Sequence, residues 1–285
     1  MNFAPRYLGR GSWLARRDPR VLVLSVACFV LTAIQVWDLR LLAGFVVIAF
    51  LYYRSARIPF RAVRFQWTFA IAFVSFVVIS NVIFASGRVQ RMPDDAVQHV
   101  YMYLPLFGTP ISAESVTFAV TQWVRFMAMI AVGLPLAFAL DPEVLGVTFA
   151  RLGVPYRFAF AIDLTWRFVP SFLADFHNTV DAQRVRGLEL SSGGRGPIAR
   201  VRRQIPILVP TVVNAIAGAE DTIDAMDLRA FGTGKRTWVR QLTFDRTDRL
   251  VLLFFGALLA AATVWGFSHG SGIWTPEFLI DLAPR

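Results

Sequence analysis

Residues 170–187 read PSFLADFHNTVDAQRVRG, and after a glycine- and arginine-rich break residues 206–238 read PILVPTVVNAIAGAEDTIDAMDLRAFGTGKRTW. The two runs end in related phrases. Ala182 is followed four residues later by Arg186 and then at once by Gly187; Ala225 is followed four residues later by Arg229, with Gly232 closing the phrase three residues on. Four residues is about one helical turn, so alanine and arginine share a face. The small alanine leaves room for close helix approach, the arginine reaches past the helix end, and glycine is the usual terminator. Two long helices are therefore expected here, with both ends outside any membrane.

The rest of the chain is mostly apolar. Of 285 residues, 56% are hydrophobic, and the mean hydropathy is +0.53. Such a composition is too apolar for an ordinary soluble domain and indicates an integral membrane protein. The net charge is +10. Basic loops held beside anionic lipid on the cytosolic side account for it, and no nucleic-acid partner is implied. A single cysteine, Cys28, excludes a disulfide framework, and His99, His177 and His269 have no neighbours at metal-ligand spacing. No cofactor or metal site is expected. The basic start leads into an apolar run without an A-x-A cleavage signal, which reads as a retained membrane helix.

Taken in order, residues 21–36 and 41–53 are two short apolar runs around Trp37, Asp38, Leu39 and Arg40. A single helix would bury Asp38 and Arg40, so the expectation is two short helices joined by a tight turn, each just under the roughly 17–25 residues of an ordinary span. Residues 65–85 and 115–140 are clear spans, separated by a mixed loop over 86–114. The second contains Arg125, which either snorkels or pairs within the bundle, or else contacts a partner subunit. A central arginine costs about 2.5–3.5 kcal/mol on insertion scales.

Asp141 and Pro142 start a new helix as N-cap and first helical residue, and residues 152–155 (LGVP) break it. Residues 156–173 contain Asp163, Arg167 and Pro170 and read as a broken or partly embedded helix. Asp163 and Arg167 stand i,i+4 and can neutralise one another. Residues 191–203 are expected as a cytosolic turn, 205–226 as a helix, and 250–267 as the last span. All the basic segments then fall on one side, together with the N-terminus.

Residues 108–240 carry a resemblance to a known family. Gly108, Thr109 and Glu114 precede the span bearing Arg125; Asp141-Pro142, the LGVP break and the RFVP run at 167–170 follow; the two arginine phrases come last. In this order the chain resembles the transmembrane T component of energy-coupling factor (ECF) transporters, a class of ABC-type importer. The resemblance implies an all-α integral membrane protein of about five to six transmembrane helices plus two long cytosolic-side coupling helices. It implies N-terminal spans over 1–140, a coupling region over 141–240 and a last span with a short tail over 241–285. The expected location is the prokaryotic cell (inner) membrane, multi-pass, with the N-terminus and coupling helices cytoplasmic.

The family has no catalytic residues in this subunit. Its expected partners are two ATP-binding cassette ATPase subunits, a substrate-binding membrane S component selecting vitamins or metal ions, and membrane lipid. Carried onto this chain, Ala182, Arg186, Gly187, Ala225, Arg229 and Gly232 are the ATPase-coupling residues. Arg125, Asp163 and Arg167 are read from the residues alone as intramembrane charges of structural kind. Two positions depart from the family pattern. Val185 stands where a small residue is usual before the first arginine, and Ala230 stands where glycine is usual after the second.

No phosphate-binding loop of the G-x-x-x-x-G-K-[ST] type is present; residues 232–235 (GTGK) lack the leading glycine. Asp221, Asp224 and Asp227 form a D-x-x-D-x-x-D run, which leaves a Mg²⁺-dependent membrane prenyltransferase-like enzyme as an alternative. Such enzymes use a second Asp-rich motif, and none is found. A self-standing permease is the other alternative; it would show repeated spans in two halves.

Overall fold

The computed structural model describes residues 12–84, 99–103, 110–188, 197–234 and 236–269. Eight α-helices make up almost all of it: α1 Pro19–Gln35, α2 Leu39–Ser55, α3 Phe60–Phe84, α4 Ala113–Ala139, α5 Leu145–Arg151, α6 Tyr156–Val185, α7 Pro197–Asp227 and α8 Arg246–His269. Two short strands, β1 Val100–Tyr103 and β2 Pro110–Ser112, pair antiparallel in the stretch expected to be loop. Compact packing divides the described residues into a unit over Pro142–Leu242 and a second made of those between 12 and 141 together with 243–269.

In the second unit α4 is the hub, packed by α1, α2 and α3, while α8 packs on α1. The core is a run of fully buried side chains, Leu14, Phe29, Leu42, Val63 and Val132 among them. Phe29 joins three helices, with its ring 5.6 Å from Phe45 on α2 and 6.4 Å from Phe255 on α8.

The tight turn between α1 and α2 is present, and it shows why Asp38 interrupts the apolar run. Its carboxylate accepts the Arg40 amide at 2.9 Å and caps α2, as Asp18 does for α1 through the Arg20 amide. A capping carboxylate satisfies one of the orphan N–H groups at a helix start. Both helices have 17 residues, the short end for a span.

Among the described residues three helices are long and apolar enough to cross a membrane outright, α3, α4 and α8, and α1 is a shorter apolar helix. At the base of α8, Arg17 reaches the Thr247 hydroxyl, Asp245 at 3.4 Å and Asp248 at 3.7 Å. The Thr247 hydroxyl, the Arg246 amide and Arg17 together hold the Asp245 carboxyl below the usual carboxylate range.

In the unit over Pro142–Leu242, Pro142–Val144 forms a 3-10 turn before α5. The LGVP break folds as expected, with Gly153 at φ +100° reversing the chain into α6. Two expectations need correction. Residues 156–173 do not form a broken helix: α6 runs unbroken for 30 residues through Pro170. Proline accepts helical φ and loses one backbone hydrogen bond, which a long, otherwise well-paired helix tolerates. Likewise α7 starts at Pro197, eight residues before the expected Ile205, and carries Pro206 and Pro210 internally. Proline suits the first helical position. Residues 191–196 of the expected turn lie outside the described residues.

α5 and α6 cross at very short range. A Cβ added to Gly146 would lie 2.6 Å from the Asp163 Cβ and 2.8 Å from the Ala159 carbonyl oxygen. Ala159 is fully buried at this crossing. No side chain can flex away, because one contact is backbone and the other a Cβ. Gly146→Ala should therefore force α5 off α6 and cost about 1–3 kcal/mol, as overpacking does. The check is thermal unfolding in detergent, with Gly44→Ala as the control because nothing stands within 4 Å of that position.

Candidate functional site

The two arginine phrases occupy one and the same piece of backbone geometry. At the end of α6, Arg186 is the C-cap, Gly187 follows at φ +88°, and two bonds close the end: the Gly187 amide donates to the Arg184 carbonyl at 2.9 Å and the Leu188 amide to the Gln183 carbonyl at 3.0 Å. At the end of α7 the Ala230 amide donates to the Asp227 carbonyl at 2.9 Å and the Phe231 amide to the Met226 carbonyl at 3.0 Å. This paired 5→2 and 6→1 pattern is the Schellman motif. Arg229 thus holds the C-cap position that Arg186 holds, and Ala182 and Ala225 sit one turn back on their helices.

Ala230, which stands where the family pattern has glycine, takes the left-handed backbone that Gly187 takes in the first end, at φ +52°. Gly232, at φ +94°, serves the turn that follows. Left-handed backbone costs an L-residue roughly 1–2 kcal/mol relative to glycine, so Ala230 stores strain in the second helix end that Gly187 spares the first.

Both ends are open to solvent. Ala182, Arg186, Gly187, Ala225, Arg229 and Gly232 are all exposed. So are the aliphatic residues just before each arginine: Val185 and Leu228 are each 89% exposed. Each end therefore shows a cation beside an apolar knob. Arg184, a turn neighbour of Arg186, is engaged instead with Asp181 at 3.1 Å.

Beyond the second end the chain folds back over the start of α6. Phe231 packs on Phe160 with ring centroids 4.8 Å apart, and Trp238 on Tyr156 at 5.6 Å. Arg236 lies over the Phe231 ring at 4.3 Å and donates to the Ala230 carbonyl at 2.7 Å, bracing the strained residue. No sequence pattern pointed to this strap; the aromatic residues at 231 and 238 were its only trace.

The three charges expected to be intramembrane have separate roles. Arg125 is 3% exposed on α4. Its Nη2 donates to the Val36 carbonyl at 2.6 Å and its Nη1 to Gln122 Oε1 at 2.9 Å. Its guanidinium lies 3.9 Å from the centre of the Trp37 ring, which itself stacks on Phe118. The arginine satisfies the carbonyl of Val36, the C-cap of α1, and ties the α1–α2 turn to the hub helix. Asp163 and Arg167 do pair, at 3.8 Å, with Arg167 largely exposed. Glu114, also carried by the resemblance, is buried and accepts from the His99 backbone amide at 3.3 Å, with His99 Nδ1 2.9 Å from its other oxygen. Gly108 and Thr109 lie outside the described residues.

Asp221, Asp224 and Asp227 are exposed along the last two turns of α7. Among the described residues no three His, Cys, Asp or Glu side chains come together in a group that could hold a metal ion.

Comparison with known proteins agrees with the geometry. A family model described as cobalt transport protein matches residues 10–238. The chain is 27% identical over 258 residues to an energy-coupling factor transporter transmembrane protein of Ruminiclostridium cellulolyticum, covering 86% of this chain and 90% of that one. It is 25% identical over 276 residues to the protein of that name from Acidaminococcus fermentans, covering 92% and 96%. A third, from Lactococcus lactis subsp. cremoris, is 26% identical over 279 residues, covering 91% and 96%. With the family model spanning both arginine phrases and the hub helix, the chain belongs to the CbiQ family and is a transmembrane T component of energy-coupling factor transporters.

Proposed function

We propose that the chain is the scaffold through which ATP-driven motion of two ATPase subunits reaches a substrate-binding S component, with vitamins or transition-metal ions as the transported class. The observation that carries this reading is the geometric identity of the two helix ends. A lone arginine at a helix C-terminus is a favourable dipole contact. Two arginines at the same position of two identical Schellman ends, each beside an exposed aliphatic residue, make a matched pair of plugs for two related sockets.

Arginine suits this role because it stays charged and binds a carboxylate through two parallel bonds. Val185 and Leu228 would enter the apolar lining around each carboxylate, and their burial would exclude water from the ion pair. Closure of the ATPases on ATP would then move both helix ends together. α6 and α7 pack on one another, so the motion is shared along them to the S component. The work at this chain is mechanical; ATP hydrolysis belongs to the partner subunits. The reading places the chain in a prokaryotic cell membrane with its N-terminus and both helix ends in the cytoplasm.

The test is co-purification from detergent with the cognate ATPases, paired with ATP-dependent uptake in reconstituted vesicles. Arg186→Ala with Arg229→Ala should lose the ATPases, or retain them without uptake. A double variant that matches the wild type in both assays contradicts the proposal. A second outcome follows from Ala230. Ala230→Gly removes the left-handed strain and should raise the unfolding midpoint in detergent, by the equivalent of about 1 kcal/mol. The same change in Ala182, which sits inside α6, should lower it by a similar amount.

A further inference from the structure

At the end of α2 a groove of about 600 Å³ opens, with Trp13, Tyr53, Arg54, Ser55 and Arg57 lining its mouth. An apolar slot of about 250 Å³ adjoins it, sharing Trp13, Leu51 and Ser55. The slot runs between α1, α2 and α8, past Val21, Ile48, Tyr52, Val251 and Phe255. All of these residues belong to one compact unit, the one that contains α4. We infer that the groove binds one anionic phospholipid, with its phosphate on Arg54 and Arg57 and an acyl chain in the slot.

The mouth suits an anion. Among the described residues no carboxylate lines either part. Arg54 and Arg57 are exposed, and among the described residues neither makes an ion pair or a side-chain hydrogen bond. Arg17, by contrast, is committed to Thr247, Asp245 and Asp248. Its guanidinium also lies 4.5 Å from the centre of the Trp13 ring and holds that ring at the junction of mouth and slot. The Tyr53 hydroxyl accepts from Trp67 Nε1 at 3.3 Å, which leaves its own proton for a further acceptor.

Arg57 carries a second signal. It stands just past the C-cap of α2 at φ +49°, with its amide on the Arg54 carbonyl at 3.2 Å. That left-handed position suits glycine. The chain keeps a cation there despite the backbone strain, and no local bond uses the charge. Strain held in this way marks residues retained for what they bind.

The slot runs along an apolar span. Val251 and Phe255 are the sixth and tenth residues of α8, a candidate membrane span that starts at Arg246. At 1.5 Å per residue they lie about 8 Å and about 14 Å beyond its first residue, deep enough to accompany an acyl chain. The mouth lies at the basic end of α2, beside Trp13 and Tyr53. Tryptophan and tyrosine concentrate at a membrane boundary, and basic clusters there attract anionic lipid. A soluble anion would leave the slot empty, and a zwitterionic lipid would set its own cation against two arginines.

For the test, the full chain is reconstituted in vesicles of equal phosphatidylglycerol and phosphatidylcholine and extracted in mild detergent, and its retained lipids are counted by native mass spectrometry. The wild type should retain phosphatidylglycerol over phosphatidylcholine by about fivefold or more, the effect of one arginine beside an anionic surface. Arg54→Gln with Arg57→Gln should bring the ratio near one. Arg57→Gly alone should lower the ratio and leave the unfolding midpoint in detergent unchanged or higher, because glycine suits the backbone there; this variant separates a lost site from a lost fold. Arg61→Gln with Arg64→Gln removes the same charge from exposed positions outside the groove and should leave the ratio as in the wild type. Millimolar glycerol 3-phosphate, which has the phosphate without the chains, should not displace the lipid. Equal retention of the two lipids by the wild type overturns the inference. So does a preference that survives the Arg54 and Arg57 substitutions, falls as far with Arg61 and Arg64, or is lost only where the unfolding midpoint falls with it. Displacement by glycerol 3-phosphate assigns the groove to a soluble anion and overturns it too. The readout needs no ATPase, so it stands or falls apart from the coupling proposal.

Discussion

A helix that stops leaves up to four carbonyl groups without partners, and inside a membrane protein those groups cannot all turn to water. How this chain satisfies them decides much of its architecture. Between α1 and α2 the turn is only three residues long, and its Val36 carbonyl is met by a buried cation from another helix, Arg125. The cost of putting that charge in an apolar helix is offset by the bond and by the Trp37 face beneath it. At the ends of α6 and α7 the carbonyls are satisfied by the backbone itself, through left-handed Gly187 and Ala230. That solution uses no side chain, which leaves Arg186 and Arg229 exposed for other partners.

The contrast between the three arginines follows from this. Arg125 is spent inside the fold. Arg186 and Arg229 sit where their own helix ends are already closed, so their charge is unused locally. The strap after α7 adds a further layer. It lays Phe231 and Trp238 back on α6, with Arg236 over the Phe231 ring, so the second helix end is braced against the start of the helix that carries the first. A strained alanine at position 230 is held in place by that brace, through the Arg236 bond to its carbonyl.

Much of this was legible in the sequence, and the reasons are physical. The apolar runs, the tight turn expected at 37–40 and found one to two residues earlier, and the phrases at 182–187 and 225–232 are local features, fixed by hydropathy and by residues with narrow backbone preferences. The unbroken course of α6 through Pro170 was not legible, because a proline reads as a break unless the turns around it hold. That position 230 keeps a left-handed backbone without glycine was not legible, since alanine gives no sign of positive φ. Arg125 and Val36 are 89 residues apart, and no local pattern links them. The β1–β2 pair and the His99–Glu114 contact likewise join segments that read separately as polar loop.

The most direct measurement of the central claim is site-specific cross-linking at the two exposed knobs. Val185→Cys and Leu228→Cys, singly and together in a Cys28→Ser background, would be tested against the cognate ATPases carrying cysteines at their apolar sockets. The account holds that each position captures one ATPase subunit, that both cross-links form in the same complex, and that their yields change with bound ATP. If neither position captures an ATPase while the assembled complex is otherwise active, the two helix ends are simple terminators and the account is wrong.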